Sequence, residues 1–190
     1  SGKMGVAIVN ALKAQGACVT LVAGPIAYKA NADKNIDIKS AAEMLVALKT
    51  EIDNHDILIM AAAVADYTPA EVQKQKIKKS AETTDTLEIK LIKTPDILKE
   101  LAKEKKAKQV FVGFAAESEK LIEHAGIKLK EKNLDMIVAN DISRSDIGFG
   151  ADDNEVTLLY GNESMLLEKS GKNKIAEAII EKALELYQAK

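Results

Sequence analysis

The chain reads as an α/β protein: a Rossmann-like, doubly wound, mainly parallel sheet with a protruding strand arm and a C-terminal hairpin plus helix. Three observations carry that reading. Short apolar runs at 18–23, 56–60, 109–114 and 134–139 alternate with segments of helical periodicity, the order that builds a parallel sheet covered on both faces. Residues 87–92 interrupt it with strict apolar/polar alternation, and 155–160 with 164–168 replace it near the end by two alternating segments around Gly161-Asn162.

Each element has its own signal. Residues 6–15 carry Val6, Val9 and Leu12 at helical spacing, and Gly16 stands where a helix-ending glycine belongs. Residues 18–23 form an apolar strand, with Cys18 as a small core residue at its start, broken by Gly24-Pro25. Residues 36–38 form a short strand, Ser40 caps the next helix, and Ala41, Leu45, Leu48 and Ile52 line one face of it. The strand 56–60 follows. Residues 87–92 should have one wet face and extend as an arm together with 76–79. Thr94-Pro95-Asp96 opens a helix running through Leu98 and Leu101, with proline in an early helical position. Then come the strand 109–114, a basic helix over 121–132, the strand 134–139, the hairpin, and a helix over 173–188 that buries Ile175, Ile179, Ala183 and Leu186.

The 190 residues suffice for one domain with a core that needs neither disulfide nor structural metal. A hydrophobic share of 47% with 29% charged residues is that of a globular chain, and no apolar run approaches the roughly 20 residues of a membrane span. A net charge of −2 favours neither nucleic acid nor an anionic membrane, so any basic site must be local. One cysteine and no signal-like start point to the cytoplasm. Ser1-Gly2-Lys3-Met4-Gly5 runs from a glycine turn straight into a helix, which reads as a chain cut from a longer polypeptide.

In a doubly wound sheet, ligands bind beyond the carboxyl ends of the strands. Here those ends are 61–66, 114–117 and Asn140-Asp141, all small or polar. The small residues Ala61, Ala62 and Ala63 let a ligand approach the backbone, and Lys76, Lys78 and Lys79 offer cations to a polyphosphate. The two segments together read as a nucleotide site. Asp66 suits a magnesium-bound phosphate or a ribose hydroxyl, a turn cap being the alternative. For Asp96 the cap is the stronger reading. Gly2 with Ser1 would offer amides to a phosphate at the helix start, although a lone Gly-x-x-Gly often means only close packing. His55 reads as a turn residue, His124 as an exposed helix residue, and 103–108 as a solvated helix end.

The motifs Ser1-Gly2-Lys3-Met4-Gly5, Ala62-Ala63-Val64-Ala65-Asp66-Tyr67, Lys76-Ile77-Lys78-Lys79, Thr94-Pro95-Asp96-Ile97, Val112-Gly113-Phe114-Ala115-Ala116-Glu117, Lys132-Asn133-Leu134-Asp135 and Ala139-Asn140-Asp141-Ile142 occur in order. With them the chain closely resembles the phosphopantothenate-cysteine ligase family of coenzyme A biosynthesis, over nearly its whole length. The resemblance implies CTP as co-substrate with Mg2+, phosphopantothenate and L-cysteine as the other substrates, and fusion to an upstream flavin (FMN) decarboxylase domain. A homodimer is expected separately, because the alternating strand over 87–92 has an apolar face with no evident helix to cover it. The resemblance also implies nucleotide contacts at Met60, Ala61, Ala62, Asp66, Lys76, Pro95, Asp96, Ile97, Leu98, Phe114, Lys128 and Lys132, with Lys76 as the catalytic flap lysine. The family's Asn-x-Ser-Ser-Gly motif departs here, because the chain begins at its serine-glycine pair. The expectation is therefore a ligase domain over 1–190 without the family's first strand and its asparagine.

Two rival classes share the coarse alternation. A nicotinamide oxidoreductase lacks its Gly-x-Gly-x-x-Gly here, and none of Tyr28, Tyr67, Tyr160 or Tyr187 has a lysine four residues on. A noncatalytic nucleotide-binding module is the other.

Overall fold

Helix α1 (Lys3–Ala14) begins at Gly2, whose φ of 79° is a left-handed conformation, and ends where Gly16 turns at φ 77°. A Cβ on Gly2 would sit 2.9 Å from Ile26, so glycine is needed there for both backbone and space. The computed structural model describes residues 2–28, 30–72, 75–76, 87–143 and 153–190. Ala7, Ile8 and Ala11 of α1 pack on Ala176 and Ile180 of the last helix.

Strand β1 (Thr20–Ala23) pairs in parallel with β2 (Lys34–Asp37). The carboxylate of Asp33 closes their loop, accepting from the Val19 amide at 2.7 Å and from Lys13 at 2.8 Å. In α2 (Ala41–Glu51), Ser40 accepts from the Glu43 amide at 3.2 Å while Glu43 accepts from the Lys39 amide at 2.7 Å, satisfying two amides of the helix start. A 3-10 turn (Ile52–Asn54) leads to β3 (Ile57–Met60). The arm consists of β4 (Tyr67–Pro69) and β5 (Leu91–Lys93), antiparallel. Then follow α3 (Ile97–Ala102), β6 (Val110–Glu117), α4 (Leu121–Glu131), β7 (Met136–Asp141), β8 (Asp153–Tyr160), β9 (Glu163–Gly171) and α5 (Lys172–Gln188).

The main sheet has the order β3-β6-β7-β8-β9, with β3, β6 and β7 parallel and β8 and β9 antiparallel to their neighbours. Alternation along its strands sends side chains to two cores. Phe111 and Ile137 face Leu101 and Leu129 on one side, while Val110, Val112, Met136, Val138 and Leu158 meet Ile175 and Ile179 of α5 on the other. Helices thus cover both faces, as a continuous apolar strand such as Val110-Phe111-Val112 demands.

Four expectations change. Cys18 is exposed and precedes β1, because β2 offers partners only from Lys34 on. β2 itself runs from residue 34 to 37, not 36 to 38, set by that same register. The strand expected over 87–92 is only Leu91–Lys93 with both faces exposed, since β4 supplies three residues and ends at Pro69, which has no amide to donate. Lys105, expected in a solvated helix end, has a side chain only 7% exposed, paired with Asp135 at 2.7 Å and lying over the Phe111 ring. Residues 77–79 lie outside the described residues.

Candidate nucleotide cleft

The carboxyl ends of β3, β6 and β7 open into a cavity of about 1050 Å³. Met60, Ala61 and Ala62 form its floor as β3 leaves the sheet, and Asp66 stands on its rim, exposed, with its carbonyl accepting from the Thr94 amide at 2.8 Å. That bond ties the loop after β3 to the segment that starts α3. Pro95, Asp96, Ile97 and Leu98 line the cavity from that helix start, and Phe114 lines it from β6. Lys128 and Lys132 reach it from α4 and just beyond, and Gly2 reaches it from the start of α1. The segments that the sequence proposed separately are therefore adjacent in space.

One of the expected site residues is not brought in. Lys76 is exposed and is not part of the cavity lining among the described residues. Ser1 lies outside the described residues, so of the expected phosphate turn only Gly2 is placed.

The two lysines that reach the cleft from α4 and just beyond it are already paired. Asp96 caps α3, accepting from the Lys99 amide at 3.2 Å, and also meets Lys132 at 2.9 Å. Burial resists ionisation of Asp96, but the Lys132 ammonium and the Lys99 amide outweigh it and hold the carboxyl below its ordinary range. Asp96 is thus both the cap the sequence favoured and the partner of a cleft cation. Glu117, at the end of β6, is held below the ordinary range chiefly by Lys128, against the opposing effect of burial, with His124 adding to it at 3.4 Å. Lys128 and Lys132 therefore face the cleft as parts of ion pairs, so an incoming polyanion would compete with Glu117 and Asp96 for them.

Sequence reasoning gave Glu117 only as a polar strand end and missed Thr94 and Asn154. Thr94 Oγ1, Asn140 Oδ1 and Asn154 Oδ1 are buried with no hydrogen-bond partner among the described residues, and all three residues line the cavity. A buried acceptor left unpaired costs about 1–3 kcal/mol, which a ligand donor removes. The available signal was periodicity: alternation in β8 sets Asn154 on the same side as buried Val156 and Leu158. His55, expected as a turn residue, follows the 3-10 turn, where Nδ1 donates to the Glu51 carbonyl at 2.8 Å and Nε2 meets the Thr20 hydroxyl at 3.0 Å. Among the described residues no cluster of three or more His, Cys, Asp or Glu is poised to hold a metal.

Residues 1–187 match the family described as DNA/pantothenate metabolism flavoprotein C-terminal domain. The chain belongs to that family. It is 43% identical over 181 residues to the Coenzyme A biosynthesis bifunctional protein CoaBC of Vibrio cholerae, covering 95% of this chain and 45% of that protein. Against the CoaBC of Escherichia coli K12 it is 39% identical over 191 residues, covering 100% of this chain and 47% of the relative. The chain thus spans about half the length of the curated relatives it matches. Among solved structures, the C-terminal domain of CoaBC superposes with a TM-score of 0.82 at 35% identity, over 100% of this chain and 85% of that one.

Proposed function

We propose that the chain is the ligase domain of a phosphopantothenate-cysteine ligase, using CTP to activate phosphopantothenate and L-cysteine as the acceptor amine. The observation that carries it is the convergence of Met60 to Ala62, Asp66, Asp96, Phe114, Lys128 and Lys132 on one cleft at the carboxyl ends of parallel strands, in a member of this family.

A carboxylate is a poor acyl donor because its leaving group would be oxide. In the proposed first step the phosphopantothenate carboxylate attacks the α-phosphorus of CTP, and the bond to the β-phosphate bridge breaks. The products are an acyl-cytidylate and pyrophosphate. Cysteine's amine then attacks the acyl carbon, CMP leaves with the bonding electrons, and the amine proton is lost. Both steps bring anions together, so the cleft must supply positive charge and exclude water. Lys128 and Lys132 suit the phosphates once they exchange Glu117 and Asp96 for them, and Lys76, on the segment after the arm's first strand, suits a mobile cation that closes over the reacting phosphate. Mg2+ is commonly held by one or two carboxylates with substrate phosphates, a role Asp66 fits, and it would neutralise charge on the departing pyrophosphate. The unpaired carbonyls of Asn140 and Asn154 suit an exocyclic amine such as the one on cytosine, and so disfavour a uracil base.

A homodimer belongs to the same reading. Leu87, Ile89, Leu91 and Ile92 are all about half exposed or more, an apolar surface that a second copy of the arm would cover. We place the reaction in the cytoplasm, and a flavin decarboxylase domain upstream in the longer protein; among the described residues no helix is long and apolar enough to cross a membrane.

Calorimetry with magnesium tests the nucleotide assignment. CTP is expected to bind at least tenfold more tightly than ATP or UTP, and NADP not to bind. Equal affinity for CTP and ATP would contradict CTP as the co-substrate, and tight NADP binding would favour the oxidoreductase.

A further inference from the structure

Glu117 stands at the end of β6, where the alternation that turns Phe111 and Ala115 towards Ala125 and Leu129 turns it towards α4 as well. Its backbone is held in the sheet: the strand register sets it opposite Asp141, and its carbonyl accepts from the Ile142 amide at 3.0 Å. His124 and Lys128 lie four residues apart on one side of α4, and both reach this carboxylate, Lys128 at Oε1 and His124 with Nδ1 at 3.4 Å from Oε2. The carboxylate is the sheltered member of the three, its side chain 17% exposed against 41% for Lys128 and 42% for His124. A sheltered carboxylate needs a countercharge.

Of the three, Lys128 alone lines the nucleotide cleft. Its ammonium rides on a flexible four-carbon stem and can turn to a ligand while the sheet keeps Glu117 in place. Glu117 then loses the partner that chiefly holds its carboxyl below the ordinary range, and the other cationic partner it has among the described residues is His124. The remaining charges nearby do not fill that role. Lys120, one turn before His124, pairs with Glu123 at 3.4 Å, and Glu119 is an exposed carboxylate in the loop between β6 and α4. β7 and β8 bring Asp141, which accepts from the Ser143 amide at 2.8 Å and its hydroxyl at 2.7 Å, and Glu155, neither of them free. None of these groups lines the cleft, so a change at His124 on ligand binding traces to Glu117.

We infer that Glu117 is a positioning residue that serves two cations in turn: it holds Lys128 at the cleft until a phosphate-bearing ligand takes that ammonium, then binds His124 as an imidazolium, so that ligand binding draws a proton from solvent onto the imidazole. The ring takes the proton at the nitrogen that lacks one, and no bond of the ligand is made or broken. Proton and ligand then favour each other reciprocally, and binding strengthens as pH falls through the titration of His124. The inference rests on the reading that a polyphosphate enters this cleft, and on neither cytosine nor acyl transfer.

The test uses the protein's two histidines, His55 and His124. NMR follows the titration of both rings with and without saturating CTP and Mg2+, and His55, whose ring nitrogens meet the Glu51 carbonyl and the Thr20 hydroxyl, serves as the reference. CTP is expected to move the His124 midpoint to higher pH and to leave that of His55 in place, and Glu117→Gln to abolish the movement. Calorimetry in buffers of different ionisation heat is expected to find roughly 0.3 proton or more taken up per CTP at pH 7 beyond the value for His124→Gln, in which titration of the ligand's own phosphates is unchanged. Between pH 8 and pH 6 the CTP affinity of the native protein is expected to rise about threefold more than that of His124→Gln. The inference is overturned if saturating CTP leaves the His124 midpoint where it was, if the movement persists in Glu117→Gln, or if native protein and His124→Gln take up protons equally. Should Glu117→Gln fail to fold, the comparison with His124→Gln decides. Should CTP not bind, inorganic tripolyphosphate replaces it: movement of the His124 midpoint then supports the inference while the nucleotide reading fails, and an unmoved midpoint, or no binding of either ligand, contradicts the inference.

Discussion

Lys128 and Lys132 are held by Glu117 and Asp96, and a third partly buried carboxylate, Asp135, is shared by Lys105 at 2.7 Å and Lys190 at 2.6 Å while accepting from the Phe111 amide at 2.7 Å. Burial opposes ionisation of Asp135, but these partners outweigh it and lower its carboxyl, as they do for Asp96; Lys128 is the chief cause for Glu117. A carboxyl whose folded pKa lies below its unfolded one contributes stability that is fully present above the unfolded pKa, about 4, and is lost as pH falls through the folded pKa. Urea unfolding is therefore expected to show stability falling from about pH 4 downwards through these three groups, with a shallower fall in Glu117→Gln. Asp135→Asn strands Lys105, nearly buried, without its countercharge, and is expected to cost about 3 kcal/mol at pH 7 by the same measurement. For Lys76 the prediction concerns turnover. Lys76→Gln in the complete ligase is expected to keep the fold and most nucleotide affinity while losing roughly 100-fold in pyrophosphate release, the scale of one preorganised charge-stabilising group. Lys78→Gln and Lys79→Gln are expected to change little, whereas similar losses in all three would mean a basic loop without a specific lysine.

Among the elements, β6 is the most constrained, because its Gly113 lies between Met60 and Ile137 in the sheet and under two leucines. A Cβ there would stand 2.7 Å from Leu134 Cδ1 and 3.3 Å from Leu98 Cδ1, both buried, so Gly113→Ala is expected to cost about 1–2 kcal/mol in thermal unfolding as they repack. The sequence showed β6 and β7 clearly, since both are buried on two faces and read as unbroken apolar runs. It showed α2 and α3 through Ser40 and Asp96, whose side chains cap them. It misjudged elements whose limits are set by partners distant in the chain: 87–92 alternates throughout, yet pairs only as far as Tyr67–Pro69 allows. Lys105 was unreadable for the same reason, because its partner Asp135 lies thirty positions away and a lysine-rich run looks solvated from within. In the cleft, small residues and lysines were legible as types, but their pairing with Glu117 and Asp96, and the orphaned carbonyls of Asn140 and Asn154, arise only from folding.

At the scale of the whole molecule, the family, the parallel sheet and the cleft agree, and the exposed apolar residues of the arm are the surface on which the proposed dimer rests. Leu91→Asp is expected to convert a dimer of the chain with its upstream segment into a monomer in light scattering at micromolar concentration; an unaltered dimer would move the interface elsewhere. The most direct test of the ligase reading is product formation by that extended chain. With CTP, Mg2+, phosphopantothenate and L-cysteine, mass spectrometry is expected to find phosphopantothenoylcysteine, CMP and pyrophosphate in equal amounts, and the acyl-cytidylate with pyrophosphate when cysteine is left out. CTP binding without formation of either acyl product would contradict the account and leave a noncatalytic nucleotide-binding module in its place.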